Sequence, residues 1–135
     1  MAYRILLADD DEDLGNLLRM GLSRRTDLNV SFACDGTSAL LMALESPPDL
    51  AVLDMMMPGL SGVEVCQRMR ANERTSGIPI VILSALTSAE AMSAAKAAGA
   101  TEYWPKPIHL SDLRCRVMAL LENGNANGKK DNGNV

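Results

Sequence analysis

Leu50-Ala51-Val52-Leu53-Asp54-Met55-Met56-Met57-Pro58-Gly59 is the stretch that decides the fold. The short apolar run reads as a buried parallel strand, and such a strand delivers its last residue to the carboxyl edge of a sheet. Open α/β folds place their chemistry along that edge. Working outward, three more runs end in the same way. Arg4-Ile5-Leu6-Leu7-Ala8 leads into Asp9-Asp10-Asp11. Ile80-Val81-Ile82-Leu83 leads into Ser84-Ala85, and Glu102-Tyr103-Trp104-Pro105 leads into Lys106-Pro107. Parallel strands in one sheet would gather these carboxylates, the hydroxyl and the ammonium at one edge, a set suited to a hard divalent cation and a phosphoryl group.

Helical patterns fill the intervals. Glu12 to Arg24 carries Leu14, Leu17, Leu18 and Leu22 on one apolar face, and Thr37 to Glu45 carries Leu40, Leu41 and Leu44. Pro47-Pro48-Asp49 stops the second helix. Ser61 and Glu64 form a capping box for a third helix, which would bury Val65 and Met69. Ser88 can cap an Ala-rich fourth helix that Gly99 ends. A fifth helix is expected from Leu110 to Leu121. Leu28 to Ala33 alternates weakly and reads as a strand toward a sheet edge, with Asp35-Gly36 as a turn. Five alternating strand and helix units predict an α/β domain with a parallel sheet covered on both faces.

The 135 residues fit one domain, expected over residues 1–122. Residues 123–135 are rich in Asn, Gly and Lys and read as a disordered tail or a truncated linker. The net charge of −4 argues against a nucleic-acid surface on this domain, and Arg24-Arg25 and Lys129-Lys130 read as solvated surface. Cys34, Cys66 and Cys115 have no metal spacing and read as free thiols in a reducing cytoplasm. The strand pattern starting at Tyr3 leaves no signal peptide, and no apolar run is long enough to cross a membrane.

The four strand ends, in this order and spacing, resemble the receiver domain of the two-component response-regulator family over roughly residues 3 to 122. The resemblance implies a flavodoxin-like (βα)5 fold with strand order 2-1-3-4-5. It implies that Asp54 is the phosphoacceptor. It also implies Mg2+ held by Asp10 and Asp54, with Asp9 in support and the Met56 carbonyl completing the protein ligands. Three successive acids leave the register open by one residue; the strand ending at Ala8 favours Asp9-Asp10, with Asp11 as a helix cap. Ser84 would hydrogen-bond the phosphoryl group, Lys106 would pair with Asp54 and then with phosphoryl oxygens, and Lys106-Pro107 would be cis. Tyr103 matches the aromatic switch position, reporting with Ser84 to the face made by helix four, strand five and helix five. Met56 and Leu86 occupy the positions that influence phosphate lifetime. His109, the only histidine, reads as a helix-start or surface residue.

The implied partners are a sensor histidine kinase or a histidine phosphotransfer protein, and an output partner that the sequence does not name. Such a chain is a phosphoacceptor that assists its own phosphorylation and dephosphorylation, not a turnover enzyme. Three alternatives stand beside this reading. One is a receiver module cut from a regulator with an output domain after Val135. Another is a constitutive binding scaffold, against which the complete acid, Ser and Lys set argues. The third is a haloacid-dehalogenase-type phosphatase, for which Asp9-Asp10-Asp11-Glu12-Asp13 lacks the Thr or Val of that motif.

Overall fold

The computed structural model describes residues 3–22, 24 and 27–133, with side chains described up to residue 123. Arg25, the Lys129-Lys130 side chains and residues 134 and 135 lie outside the described part. Five strands, β1 (Tyr3–Ala8), β2 (Leu28–Ala33), β3 (Leu50–Asp54), β4 (Ile80–Ser84) and β5 (Glu102–Pro105), alternate with five helices. These are α1 (Glu12–Leu22), α2 (Gly36–Glu45), α3 (Gly62–Arg70), α4 (Ala89–Ala97) and α5 (Leu110–Gly133). The sheet is parallel throughout and its order is β2-β1-β3-β4-β5, the expected flavodoxin-like arrangement.

Burial follows strand position. The central strands β3 and β4 are buried at every residue, because helices cover both of their faces. The sheet divides the core in two. Leu6, Ala51, Leu53, Ile80 and Ile82 face α2, α3 and α4, through Ala39, Val65, Met69 and Ala95. Ile5, Leu7, Leu50, Val52 and Trp104 face α1 and α5, through Leu18, Leu22, Leu113 and Val117. Pro105 is tolerated because β5 is an edge strand and Pro105 is its last residue.

The caps formed as the sequence indicates. Ser61 and Glu64 make the reciprocal capping box of α3, and Ser88 accepts from the Ala91 amide at the start of α4. Asp35 does more than mark a turn: its side chain accepts from the Ser38 amide and caps α2.

Three details differ from the sequence reading. Leu17 and Leu41 were expected on buried faces but are 59% and 55% exposed. In α2 the side chains that meet the core are the small Ala39 and Ala43, because the helix lies close to the sheet and its first residue, Gly36, abuts the Leu60 carbonyl. The helical backbone of α5 runs to Gly133, past the expected end at Leu121 and through the segment read as a tail. Leu121 is nonetheless the last buried residue described in it, so the packed part of the helix ends where the apolar pattern ends.

Candidate functional site

Register brings the four strand ends together. Ala8 pairs with Leu53, which sets Asp9 level with Asp54 on the neighbouring strand. Asp54 pairs with Leu83, so Ser84 lies one residue further out. Ser84 pairs with Pro105, and Lys106 follows. The Lys106 amide donates to the Ser84 carbonyl at 2.8 Å, continuing the ladder to the edge.

Lys106 Nζ lies 2.7 Å from Asp9 Oδ2 and 3.2 Å from Asp54 Oδ2. The lysine expected to pair with Asp54 therefore bridges two carboxylates and sits closer to the other one. Asp9 and Asp54 are both buried, while Asp10 is exposed. Asp9 uses its second oxygen, Oδ1, to accept from the Asp11 amide at 2.9 Å. Asp11 in turn accepts from the Leu14 amide at 3.1 Å, which is the cap expected of it at the start of α1.

Burial raises the Asp54 pKa above the ordinary carboxylate range, and the Asp9 charge adds to the effect. Lys106 and a hydrogen bond from the Met56 amide pull in the opposite direction without cancelling it. For Lys106, burial alone would lower the pKa; the Asp9 hydrogen bond and the two carboxylate charges outweigh it, and the net shift is upward. The ammonium is thus held charged by an anionic surround, while burial leaves Asp54 poorly stabilised as an anion.

The loop after Asp54 is fixed by backbone contacts. Gly62 donates to the Met55 carbonyl at 2.9 Å and Gly36 donates to the Pro58 carbonyl at 3.1 Å. Gly59 has φ +77°, a conformation that a side chain would strain. A Cβ at Gly62 would fall 2.3 Å from the Asp54 carbonyl oxygen, so only glycine lets α3 start this close to the end of β3. Met56 leaves this loop 65% exposed, beside Asp54.

Ser84 is buried, and its Oγ accepts from the Leu86 amide at 3.0 Å. Tyr103 is half-buried against the α4 side of the core and donates its hydroxyl to the Leu86 carbonyl. Both residues expected to act in switching therefore hold the same backbone residue. Lys106-Pro107 is cis. His109 is exposed and its carbonyl accepts from Leu113, a helix-start position.

Carboxylate oxygens of Asp9, Asp10 and Asp54 lie within 4.8 Å of one another, and an all-oxygen set of this kind fits Mg2+, which takes hard oxygen ligands and keeps several waters. Two features were not read from the sequence. One is the role of Leu86, which acts through its backbone and leaves no side-chain signal. The other is an apolar cavity of about 230 Å3 beside Lys106, bounded by Leu14, Leu18, Leu83 and Ile108. The helical spacing of Leu14 and Leu18 was its available trace.

A family model for the response regulator receiver domain matches residues 5–118. The chain belongs to that family. It is 43% identical over 121 residues to an uncharacterized transcriptional regulatory protein of Bacillus subtilis, YrkP, covering 90% of this chain and 50% of that protein. It is 42% identical to the response regulator MprA of Mycobacterium tuberculosis, covering 90% of this chain and 51% of that protein. The chain thus spans about half the length of the curated relatives it matches. Among solved structures, a Francisella response regulator receiver domain superposes with a TM-score of 0.81 at 29% identity, covering 90% of this chain and 98% of that one. A response regulator from Chloroflexus aurantiacus superposes with a TM-score of 0.82 at 30% identity, covering 90% and 99%. The receiver family places this chain in two-component signal transduction, as a phosphoacceptor and not a conventional enzyme. No helix among the described residues is long and apolar enough to cross a membrane.

Proposed function

We propose that this receiver accepts a phosphoryl group on Asp54 from a histidine kinase or histidine phosphotransfer protein. The observation that carries the reading is the single Lys106 ammonium set between buried Asp9 and Asp54 at the carboxyl edge of the sheet. An Asp54 oxygen attacks the phosphorus; the phosphorus–nitrogen bond of the donor imidazole breaks, and the nitrogen keeps the electron pair. Burial leaves the attacking carboxylate poorly stabilised as an anion, which favours its nucleophilicity. Lys106 then neutralises charge on the phosphoryl oxygens, and the Ser84 hydroxyl donates to one of them. Asp9, Asp10, Asp54 and the Met56 carbonyl would hold Mg2+, which supplies charge neutralisation for an anionic donor entering an acidic site.

Phosphorylation then biases the α4–β5–α5 face through Ser84 and Tyr103. The relatives are about twice as long as this chain, which supports an output domain in the whole protein. Acetyl phosphate or a phosphorylated kinase should label the chain once, in a Mg2+-dependent manner, and Asp54→Asn should abolish the label. Undiminished labelling of that variant defeats the assignment.

A further inference from the structure

The loop after Asp54 carries three methionines in a row, and the fold treats them differently. Met55 is buried, and Met57 is partly buried against the half of the core that faces α2, α3 and α4. Met56, between them, is 65% exposed. Most other methionines are covered. Met69 is buried, and Met42 and Met118 are partly buried against the two halves of the core. Among the described residues Met20 and Met92 are also exposed, but they lie within α1 and α4 and outside the loops at the carboxyl edge of the sheet.

Met56 is also held in place. Its amide donates to the Asp54 carboxylate. On one side of it the Met55 amide donates to the Leu83 carbonyl at 3.2 Å, and the Met55 carbonyl accepts from Gly62 at 2.9 Å. On the other side the Pro58 carbonyl accepts from Gly36 at 3.1 Å. An accessible thioether is thus rooted two residues from the acceptor, on a backbone pinned before and after it.

We propose that Met56 is an oxidation site that sets the lifetime of the phosphorylated state: an exposed thioether, anchored beside the buried Asp54 carboxylate, that a hydroperoxide converts to the sulfoxide. This rests on the Asp54 reading above. A sulfur lone pair attacks the outer oxygen of the hydroperoxide; the oxygen–oxygen bond breaks and a sulfur–oxygen bond forms. Sulfur loses two electrons, the peroxide gains them, and with hydrogen peroxide the remainder leaves as water. The thioether is apolar and a weak hydrogen-bond acceptor, whereas the sulfoxide is polar and carries an accepting oxygen. Hydrolysis of an aspartyl phosphate needs a water placed in line with the bond to be broken. The sulfoxide oxygen accepts a hydrogen bond from that water and steers it. The water oxygen bonds to phosphorus, the bond to the Asp54 oxygen breaks with the carboxylate keeping the electron pair, and the released phosphate takes the water's oxygen and protons. Oxidation therefore shortens the response, and a methionine sulfoxide reductase restores its length.

The test uses the 135-residue chain carrying Met20→Leu and Met92→Leu, so that Met56 is the one largely exposed methionine among the described residues. It is treated with hydrogen peroxide, returned to a thiol reductant to reset the cysteines, and labelled with acetyl phosphate and Mg2+. Peptide mass spectrometry should find one added oxygen on Met56 before Met55 or Met57 gains any. The label should then decay about fivefold faster than on the untreated chain, equivalent to the ~1 kcal/mol of one net hydrogen bond. Methionine sulfoxide reductase should return the slow decay. In a chain that also carries Met56→Leu, decay should be the same with and without peroxide. Oxidation of buried Met55 ahead of Met56, unchanged or slower decay once Met56 is oxidised, or equal acceleration in the Met56→Leu chain each overturns the proposal. Absence of label on the untreated chain refutes the Asp54 reading, and this proposal with it; a label that decays at one rate before and after oxidation refutes this proposal alone.

Discussion

Lys106→Met isolates the electrostatics of the site. Methionine keeps much of the length of the side chain and removes the charge. At an effective dielectric of about 20, unit charges at the two observed separations, 2.7 and 3.2 Å, attract by roughly 6 and 5 kcal/mol. Desolvation of the ammonium offsets much of this. Its side chain is also 20% exposed, so water can partly replace it. The net loss of stability should then be ~2–4 kcal/mol, somewhat below the ~3–5 kcal/mol of a fully buried pair that loses one partner. At about 4 °C per kcal/mol for a domain of this size, Tm should fall by ~8–16 °C. Thermal unfolding followed by circular dichroism at neutral pH without divalent cations measures it. Mg2+ should recover more stability in the variant than in the parent, because Asp9 and Asp54 are left without their ammonium. Adding Asp54→Asn should recover about half of the loss, since one of the two uncompensated carboxylates is then gone. A fall under ~2 °C, or no recovery in the double variant, refutes the account of Lys106 as the shared counter-charge.

Asp54→Asn alone should raise Tm at neutral pH. The folded-state pKa of Asp54 lies above its ordinary value, so the folded chain binds more protons and stability falls as pH rises through that pKa. The advantage of the variant should therefore shrink as pH falls through the folded-state pKa and vanish below the ordinary carboxylate range; a gap independent of pH would contradict it. Asp10→Ala should weaken Mg2+ binding more than Asp11→Ala, because Asp11 is committed to the α1 amides, and a calorimetric titration giving the reverse order would move the acid pair by one residue. The phosphorylated state should be long-lived, because exposed Met56 and Leu86 are apolar and cannot orient a water. Met56→Asn and Leu86→Glu should shorten it several-fold, and equal decay of all three proteins would remove these positions from the argument.

The sheet and the ends of its strands were readable because both depend on local patterns. A run such as Leu50–Leu53 announces a strand buried on both sides, and an acid that follows it must reach the edge. The caps at Ser61 and Ser88 are equally local, since partner and cap are three residues apart. Long-range choices were not readable. Lys106 lies nearer Asp9 than Asp54, a partner 97 positions away that register and side-chain packing select. The four bonds of Arg70 reach up to 31 residues away and end mostly on carbonyls, which every residue carries. Leucine spacing also misplaced Leu17 and Leu41, because periodicity names a face without saying which of its edges the neighbouring strands cover.

Adjacent residues of β5 face opposite halves of the core. Tyr103 lies with the α4 side and Trp104 with the α1 and α5 side. Trp104 is the only tryptophan in the chain; its indole N–H donates to Glu102 at 2.6 Å, and the Arg116 guanidinium lies 5.7 Å from the ring centre. All indole fluorescence therefore comes from one site, wired by the peptide backbone to the tyrosine that holds Leu86. The dry, charged environment of that ring makes its emission sensitive to small rotations of the strand. The chain thus carries an optical gauge, buried in one half of the core, that reads events in the other half without any added label.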